Sequence, residues 1–92
     1  MSGPEHAVEK ALRLGVKALG GLCLKLNPFR LKGIPDRLVL LPGGRLYFVE
    51  LKAPDGDVKP WQARWHDRLV LLGFSVRVLW TVDQVVRFLA TL

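Results

Sequence analysis

Two carboxylates and a lysine are the side chains of this sequence whose types and spacing could perform chemistry together. Asp36 follows Pro35 in the segment G-I-P-D-R, and Glu50 and Lys52 lie in the apolar segment F-V-E-L-K. Successive side chains of a strand point to opposite faces, so Glu50 and Lys52 share one face. Two adjacent carboxylates each resist ionisation, and a divalent cation with hard oxygen ligands removes this conflict. The residues therefore predict a Mg²⁺-type centre with a lysine that could orient or deprotonate water or neutralise a phosphate.

A hairpin would bring Asp36 and Glu50 together. The tetrapeptide P-G-G-R at positions 42–45 separates two β-rich runs and is typical of a tight turn. Antiparallel pairing across this turn places Asp36 opposite a residue near position 50. Glu-x-Lys alone is a weak signal, for which a surface ion pair on a strand is the commoner explanation. The apolar flanks of Glu50 favour a site, because an unpaired charge on a strand built for burial is expensive.

Seven elements are predicted around these residues, in the order α-β-β-β-α-β-α. Apolar side chains at helical spacing predict helices over residues 4–20, 61–72 and 82–92. Alternating or β-rich runs predict strands over residues 22–29, 34–41, 46–51 and 74–80. The strand–helix–strand segment over residues 46–80 should form a right-handed parallel crossover. The expected fold class is α/β, an α+β mixed sheet flanked by helices, in a single domain over residues 1–92.

The composition indicates a small basic domain. The 92 residues carry 14 Lys and Arg against 8 Asp and Glu, a formal charge of +6. Cys23 is the one cysteine, which excludes a disulfide framework and a cysteine-built zinc site and fits a reducing compartment. No apolar run approaches the roughly 20 residues of a membrane span, and the N-terminus has acidic residues where a signal peptide would be apolar. We expect a cytoplasmic protein whose positive charge meets nucleic acid, with a merely solvated basic surface as the alternative.

The ordered set of motifs resembles the VRR-NUC branch of the PD-(D/E)XK nucleases. The resemblance rests on G-I-P-D at 33–36, a short glycine turn, F-V-E-L-K at 48–52, Gln62 at the start of a helix and Gly73 before the last strand. It extends from Glu5 to Val78 and implies a restriction-endonuclease-like αβββαβ core, here followed by a C-terminal helix. It also implies that Asp36, Glu50 and the backbone carbonyl of Leu51 bind Mg²⁺ or Mn²⁺, and that Lys52 is the catalytic lysine.

Glu5 would match the acidic residue that such nucleases direct at a metal-bound water. With about 100° per residue, Glu5 lies within about 25–30° of the apolar stripe of the first helix and Glu9 about 65° away. Glu5 therefore points inward, whereas Glu9 can pair with Arg13 on the surface. The alternative for Glu5 is a favourable charge at a helix N-terminus. By resemblance Gln62 would brace the catalytic lysine or a phosphate, and by spacing alone a boundary polar residue explains it equally well.

The remaining distinctive side chains receive structural interpretations. Both histidines, His6 and His66, are expected on the solvated surface. The tryptophans are expected in the core or in dimer contacts rather than as platforms for base stacking: Trp61, Trp65 and Trp80. Cys23 is expected to be a small buried apolar residue.

The leading functional hypothesis is a Mg²⁺- or Mn²⁺-dependent, structure-selective DNA endonuclease. Domains similar to this one form homodimers and act on branched DNA such as Holliday junctions, which implies a homodimer acting in DNA repair, inside a bacterial host cell if the chain is phage-encoded. The last helix could supply the interface through its apolar residues, which an ordinary core would explain equally well. The residues expected to bind the DNA backbone are Lys17, Lys25, Arg30, Lys32, Arg37, Lys59 and Arg64. The alternatives are a catalytically silent basic module that binds nucleic acid or another protein, and a restriction-like nuclease with sequence preference.

Overall fold

Three helices and four strands occur in the predicted order in the computed structural model of the chain, which describes residues 4–27 and 29–92. They are α1 (Pro4–Ala18), β1 (Leu22–Lys25), β2 (Arg37–Leu41), β3 (Arg45–Leu51), α2 (Pro60–Leu71), β4 (Ser75–Leu79) and α3 (Val82–Ala90). The first strand ends four residues earlier than predicted. The second strand begins at Arg37 rather than at residue 34, because Gly33 turns the chain with a φ of 97° and Pro35 has no N–H to donate.

The four strands form one mixed sheet in the order β1-β2-β3-β4. β1, β2 and β3 are antiparallel neighbours, and β4 runs parallel to β3. The predicted parallel pairing of the strands on either side of α2 is therefore confirmed.

The hairpin between β2 and β3 sets the register that matters for the site. The two glycines of its turn, at positions 43 and 44, adopt φ values of 84° and 75°, which L side chains rarely adopt. The ladder pairs Arg37 with Val49 at its far end. One step further along, Asp36 lies beside Glu50, as the sequence predicted.

One face of the sheet packs against α1 and α3 to form the core. The predicted stripe of α1 is buried at Val8, Leu12 and Val16, whereas Leu19 lies beyond the end of the helix and is 40% exposed. Alternate residues of the central strands meet this stripe. The strand residues of this buried cluster are Val39, Leu41, Val49, Leu51 and Leu79, and α3 adds Val85 and Phe88. Val49 and Leu51 thus point into the core, which leaves Glu50 on the opposite face of β3, where α2 lies.

Most apolar residues of α3 serve this core instead of a free surface. Val85 and Phe88 are buried, Leu89 and Leu92 pack against the core, and Val82 and Val86 remain exposed. The interface suggested for this helix therefore reduces to two valines.

A larger apolar surface lies on the α2 side of the sheet, on strands that α2 leaves partly exposed: Leu22, Leu24, Leu38, Leu40, Leu46 and Phe48. None of the described helices is long and apolar enough to cross a membrane.

Candidate active site

Asp36 and Glu50 form a carboxylate pair at the end of the β2–β3 ladder. The backbone amide of Leu51 donates a hydrogen bond of 3.1 Å to Oδ1 of Asp36, which fixes that carboxylate against β3. Glu50 is 3% exposed, and its carboxyl group lies within hydrogen-bonding reach of Asp36. Oε1 of Glu50 is buried without a hydrogen-bond partner. A buried carboxylate oxygen without a hydrogen-bond partner is costly, and the charge of Asp36 adds to the cost of ionising Glu50.

The electrostatics of the pair favour a cation. Burial, reinforced by the charge of Asp36, raises the pKa of Glu50 to about 8, against the opposing effect of Lys52. Burial also raises the pKa of Asp36, although the Leu51 amide and the Arg37 guanidinium act in the opposite direction. The charge of Glu5, on α1, raises the pKa of both carboxyl groups. Two buried acids that resist ionisation are stabilised as carboxylates by a divalent ion.

The pair fits Mg²⁺ or Mn²⁺ as a site with few protein ligands. Among the residues that the structure describes, no three His, Cys, Asp or Glu side chains converge on one point. Glu5 is half-buried and near enough for its charge to act on both carboxyl groups, but it does not complete a three-carboxylate cluster. Mg²⁺ is commonly held by one or two carboxylates together with waters and phosphate oxygens. The carbonyl of Leu51 is a further candidate ligand, because the N–H and C=O of a strand residue point to the same side and its N–H reaches Asp36.

Lys52 is held in place by the start of α2. Its Nζ donates a 2.7 Å hydrogen bond to Oε1 of Gln62, and the same oxygen accepts a 2.9 Å bond from the backbone N–H of Lys59. Gln62 therefore ties the lysine to the helix N-terminus, where its side chain, at position N3, accepts from the N-cap backbone N–H. The loop after Lys52 is fixed from the other side, where the indole N–H of Trp80 donates to the carbonyl of Gly56 at 2.8 Å.

His66 belongs to the site, and its expected place on the solvated surface was wrong. Its side chain is 13% exposed, and Nε2 lies 3.8 Å from Oε1 of Glu50, with neither atom hydrogen-bonded. Burial lowers the pKa of His66, so at neutral pH a neutral imidazole faces the carboxyl group. The signal that could have found it is the four-residue spacing from Gln62, which puts both side chains on one stripe of α2.

The remaining residues singled out in the sequence differ in their contacts and exposure. Glu9 forms the predicted surface pair with Arg13, with Oε1 and Nε 3.4 Å apart. Cys23 packs against the core but is only partly buried, whereas a buried residue was expected. The residues expected to bind DNA are exposed with one exception: Lys17, Lys25, Arg30, Lys32, Lys59 and Arg64 lie on the surface.

Arg37 is the exception and requires a correction. It is 4% exposed, and its Nη1 donates to the carbonyl of Asp36 at 3.1 Å. As the first residue of β2, it points to the core side of the sheet, where the ladder places it opposite Val49. Arg37 therefore supports the Asp36 segment from within and cannot lie against a DNA backbone.

Comparison with known proteins agrees with this geometry. No family model matches the chain. The chain is 46% identical over 80 residues to a protein named "Putative nuclease p44" from Acyrthosiphon pisum secondary endosymbiont phage 1, covering 86% of this chain and 85% of that protein. A solved structure described as "VRR_NUC domain" matches with a TM-score of 0.89 and 36% identity, over 97% of each chain. The chain belongs to the VRR-NUC family of nuclease domains.

Proposed function

We propose that this nuclease is a Mg²⁺- or Mn²⁺-dependent endonuclease that hydrolyses phosphodiester bonds of branched DNA. The observation that carries the proposal is the buried Asp36–Glu50 pair with its unpartnered Oε1, next to a lysine held by Gln62. A structural ion pair would leave no buried carboxylate oxygen without a partner.

Each residue around the carboxylate pair has a separate role in the proposed reaction. Asp36, Glu50 and the Leu51 carbonyl would hold the ion, which when bound polarises the scissile phosphate and lowers the pKa of its water. Lys52 neutralises charge that develops on the phosphate or orients the attacking water, and Gln62 keeps its ammonium group in that position. Glu5, whose charge acts on both carboxyl groups from α1, would hold a water molecule for the attack.

His66 closes the side of the pair that faces α2. A neutral imidazole 3.8 Å from Glu50 can donate to the carboxylate or to a water beside it, and so orient Oε1 toward an ion. It acts as a positioning residue for Glu50.

A homodimer on branched DNA is supported by two surfaces. The exposed lysines and arginines can supply phosphate contacts, which carry no sequence information. The partly exposed apolar face of β1–β3 supplies a surface that a second copy could cover, which would present two active sites to a substrate of matching symmetry. Light scattering of the wild type and of Leu24→Asp tests this, because Leu24 lies on that face and is 42% exposed. The phage origin of the relative supports action in a bacterial host cell.

The direct test is cleavage of a four-way junction, a flap, a duplex and a single strand, compared side by side with Mn²⁺. We expect nicking of the branched substrates, none in EDTA, and none in Asp36→Ala or Lys52→Ala that retain the wild-type circular dichroism spectrum. Glu5→Gln and Glu9→Gln form a matched pair on α1, of which only Glu5→Gln should lose activity. Activity that persists in EDTA or in Lys52→Ala would refute the catalytic assignment. DNA binding without cleavage would indicate the silent module instead.

A further inference from the structure

A cavity lined by basic and aromatic side chains lies on α2, beside the stripe that carries Gln62 and His66. It has a volume of about 280 Å³ and is lined by Lys32, Trp61, Arg64, Trp65 and Arg68. We propose that this cavity binds an unpaired nucleotide of the DNA substrate, with its base stacked on an indole and its phosphate held by the cations. The proposal specifies which part of a branched substrate is recognised and rests on the proposed function.

The charge of the cavity fits a phosphate. Three of the five lining residues are cationic and none is acidic. None of the three takes part in an ion pair within the described part of the chain. Their positive charge is therefore free to act on a phosphate, and the guanidinium groups of Arg64 and Arg68 can bind it through two donors each.

The tryptophans fit a base. Nζ of Lys32 lies 4.3 Å from the centroid of the Trp61 ring, and Cζ of Arg68 lies 5.7 Å from that of Trp65. Each indole thus has a cation stacked over it, and a base can take that position while the cation moves to the phosphate. Trp61 is 37% exposed, so its ring is accessible. This exposure does not fit the core position that was one expectation for Trp61.

The size and shape of the cavity favour an unpaired nucleotide over a duplex. Its volume is near the lower end of small-ligand sites, roughly 300 Å³, and suits one nucleotide. A paired base keeps both faces stacked inside the helix, whereas an unpaired base offers a free face to an indole. Stacking on aromatic side chains tolerates any base, so the cavity would recognise strand structure rather than sequence.

The cavity is connected to the carboxylate pair through the Gly33–Asp36 segment. The backbone of Gly33 packs against the start of α2 so closely that a Cβ there would lie 2.6 Å from the carbonyl oxygen of Trp61. Asp36 follows three residues later. On the neighbouring stripe of the same helix, Gln62 holds Lys52. A single strand seated in the cavity would therefore leave the duplex beside the catalytic residues.

Binding in EDTA tests the inference without cleavage. The probes are a labelled blunt duplex and the same duplex with a single-stranded thymidine tail, measured by fluorescence anisotropy. We expect Trp61→Ala to weaken binding of the tailed duplex about tenfold and to leave the blunt duplex unchanged, with most affinity retained in Trp61→Phe. For the tailed duplex, Arg64→Ala should reduce the slope of log K against log salt concentration by about one, the value of one phosphate contact. Arg45→Ala is the charge-matched control, because Arg45 lies in the exposed β2–β3 turn, away from the cavity.

The outcomes separate this inference from the proposed function. Equal affinities of the wild type and a folded Trp61→Ala for the tailed duplex would overturn the inference, as would an equal loss of affinity for both DNAs. If such a protein still cleaves branched DNA with Mn²⁺, the nuclease proposal stands and only the cavity assignment fails. A tail-specific loss of binding in a protein that cleaves nothing would uphold the cavity and refute the proposed catalysis.

Discussion

Glu50 should make the metal-free protein less stable as the pH rises through neutrality. The side chain is 3% exposed, and its pKa is raised from 4.5 to about 8. Between these two values the folded chain holds a proton on Glu50 that the unfolded chain has lost. Because the folded state binds more protons, the free energy of unfolding falls as the pH increases across this range. Replacing the carboxyl group with an amide, in Glu50→Gln, removes this contribution of Glu50.

Three other groups have shifted pKa values, and they define the range in which the effect of Glu50 can be observed. Burial lowers the pKa of His66 from 6.5, which makes stability rise with pH below that value. The pKa of Cys23 is raised from 9.0, so Cys23 affects the pH dependence of stability only above pH 8. Burial also raises the pKa of Asp36, which changes stability in the same direction as Glu50, so between pH 6.5 and 8 the Asp36–Glu50 pair accounts for the loss and comparison with Glu50→Gln isolates the share of Glu50. A difference of one bound proton changes stability by about 1.4 kcal/mol per pH unit, so the expected loss is about 2 kcal/mol.

Denaturant unfolding in EDTA, monitored by tryptophan fluorescence, measures this loss directly. The wild type should lose about 2 kcal/mol between pH 6.5 and 8, equivalent to roughly 10 °C in melting temperature. Glu50→Gln should lose clearly less stability than the wild type over the same range. With saturating Mg²⁺ the wild type should no longer lose stability toward pH 8, because the ion binds the ionised carboxylate.

The matched control for this prediction is Glu9→Gln. Glu9 pairs with Arg13 on α1, so its removal should change the overall stability slightly and leave the wild-type slope intact. A wild type whose unfolding free energy is constant in EDTA between pH 6.5 and 8 would refute the reasoning. The same conclusion would follow if Glu50→Gln kept the wild-type slope.

Three further substitutions test the contacts around the pair. Gln62→Ala frees Nζ of Lys52 and should lower kcat roughly 10- to 100-fold with little change in DNA affinity, as measured by single-turnover cleavage and anisotropy. His66→Ala should raise the Mn²⁺ concentration for half-maximal cleavage about tenfold, and an unchanged metal titration would contradict its positioning role. Arg37→Ala should lower the free energy of unfolding, because it removes a buried donor to the Asp36 carbonyl. The salt dependence of its DNA binding should match that of the wild type, since Arg37 makes no phosphate contact.

The carboxylate pair could be predicted because local rules determine it. A tight turn at positions 42–45 fixes which residues of the two strands pair. Continuing that register back from the turn places Asp36 beside Glu50, without knowledge of the rest of the fold. Strand alternation then separates Glu50 from its core-facing neighbours. The inward orientation expected for Glu5 comes from helical periodicity in the same way and stays a prediction.

His66 and Arg37 could not be placed because their surroundings come from distant parts of the chain. The periodicity of α2 shows that His66 shares a stripe with Gln62, but only the packing of the helix over β3 shows that this stripe meets a buried acid. Arg37 starts a strand, a position at which a charged residue commonly remains in solvent. It is buried because its position in β2 points it to the core face of the sheet, where the carbonyl of Asp36 accepts a hydrogen bond from it.

The position of α2 links substrate binding to catalysis. One stripe of the helix carries Gln62 and His66 against Lys52 and Glu50, and the adjoining stripe carries the two tryptophans of the cavity. Gly33 holds the start of this helix against the segment that leads to Asp36, where any side chain would push the two apart. A shift of α2 would therefore move the lysine, the imidazole and the cavity together. The helix thus acts as one rigid support that seats an unpaired strand and, with the same backbone, keeps the ammonium group of Lys52 beside the carboxylates.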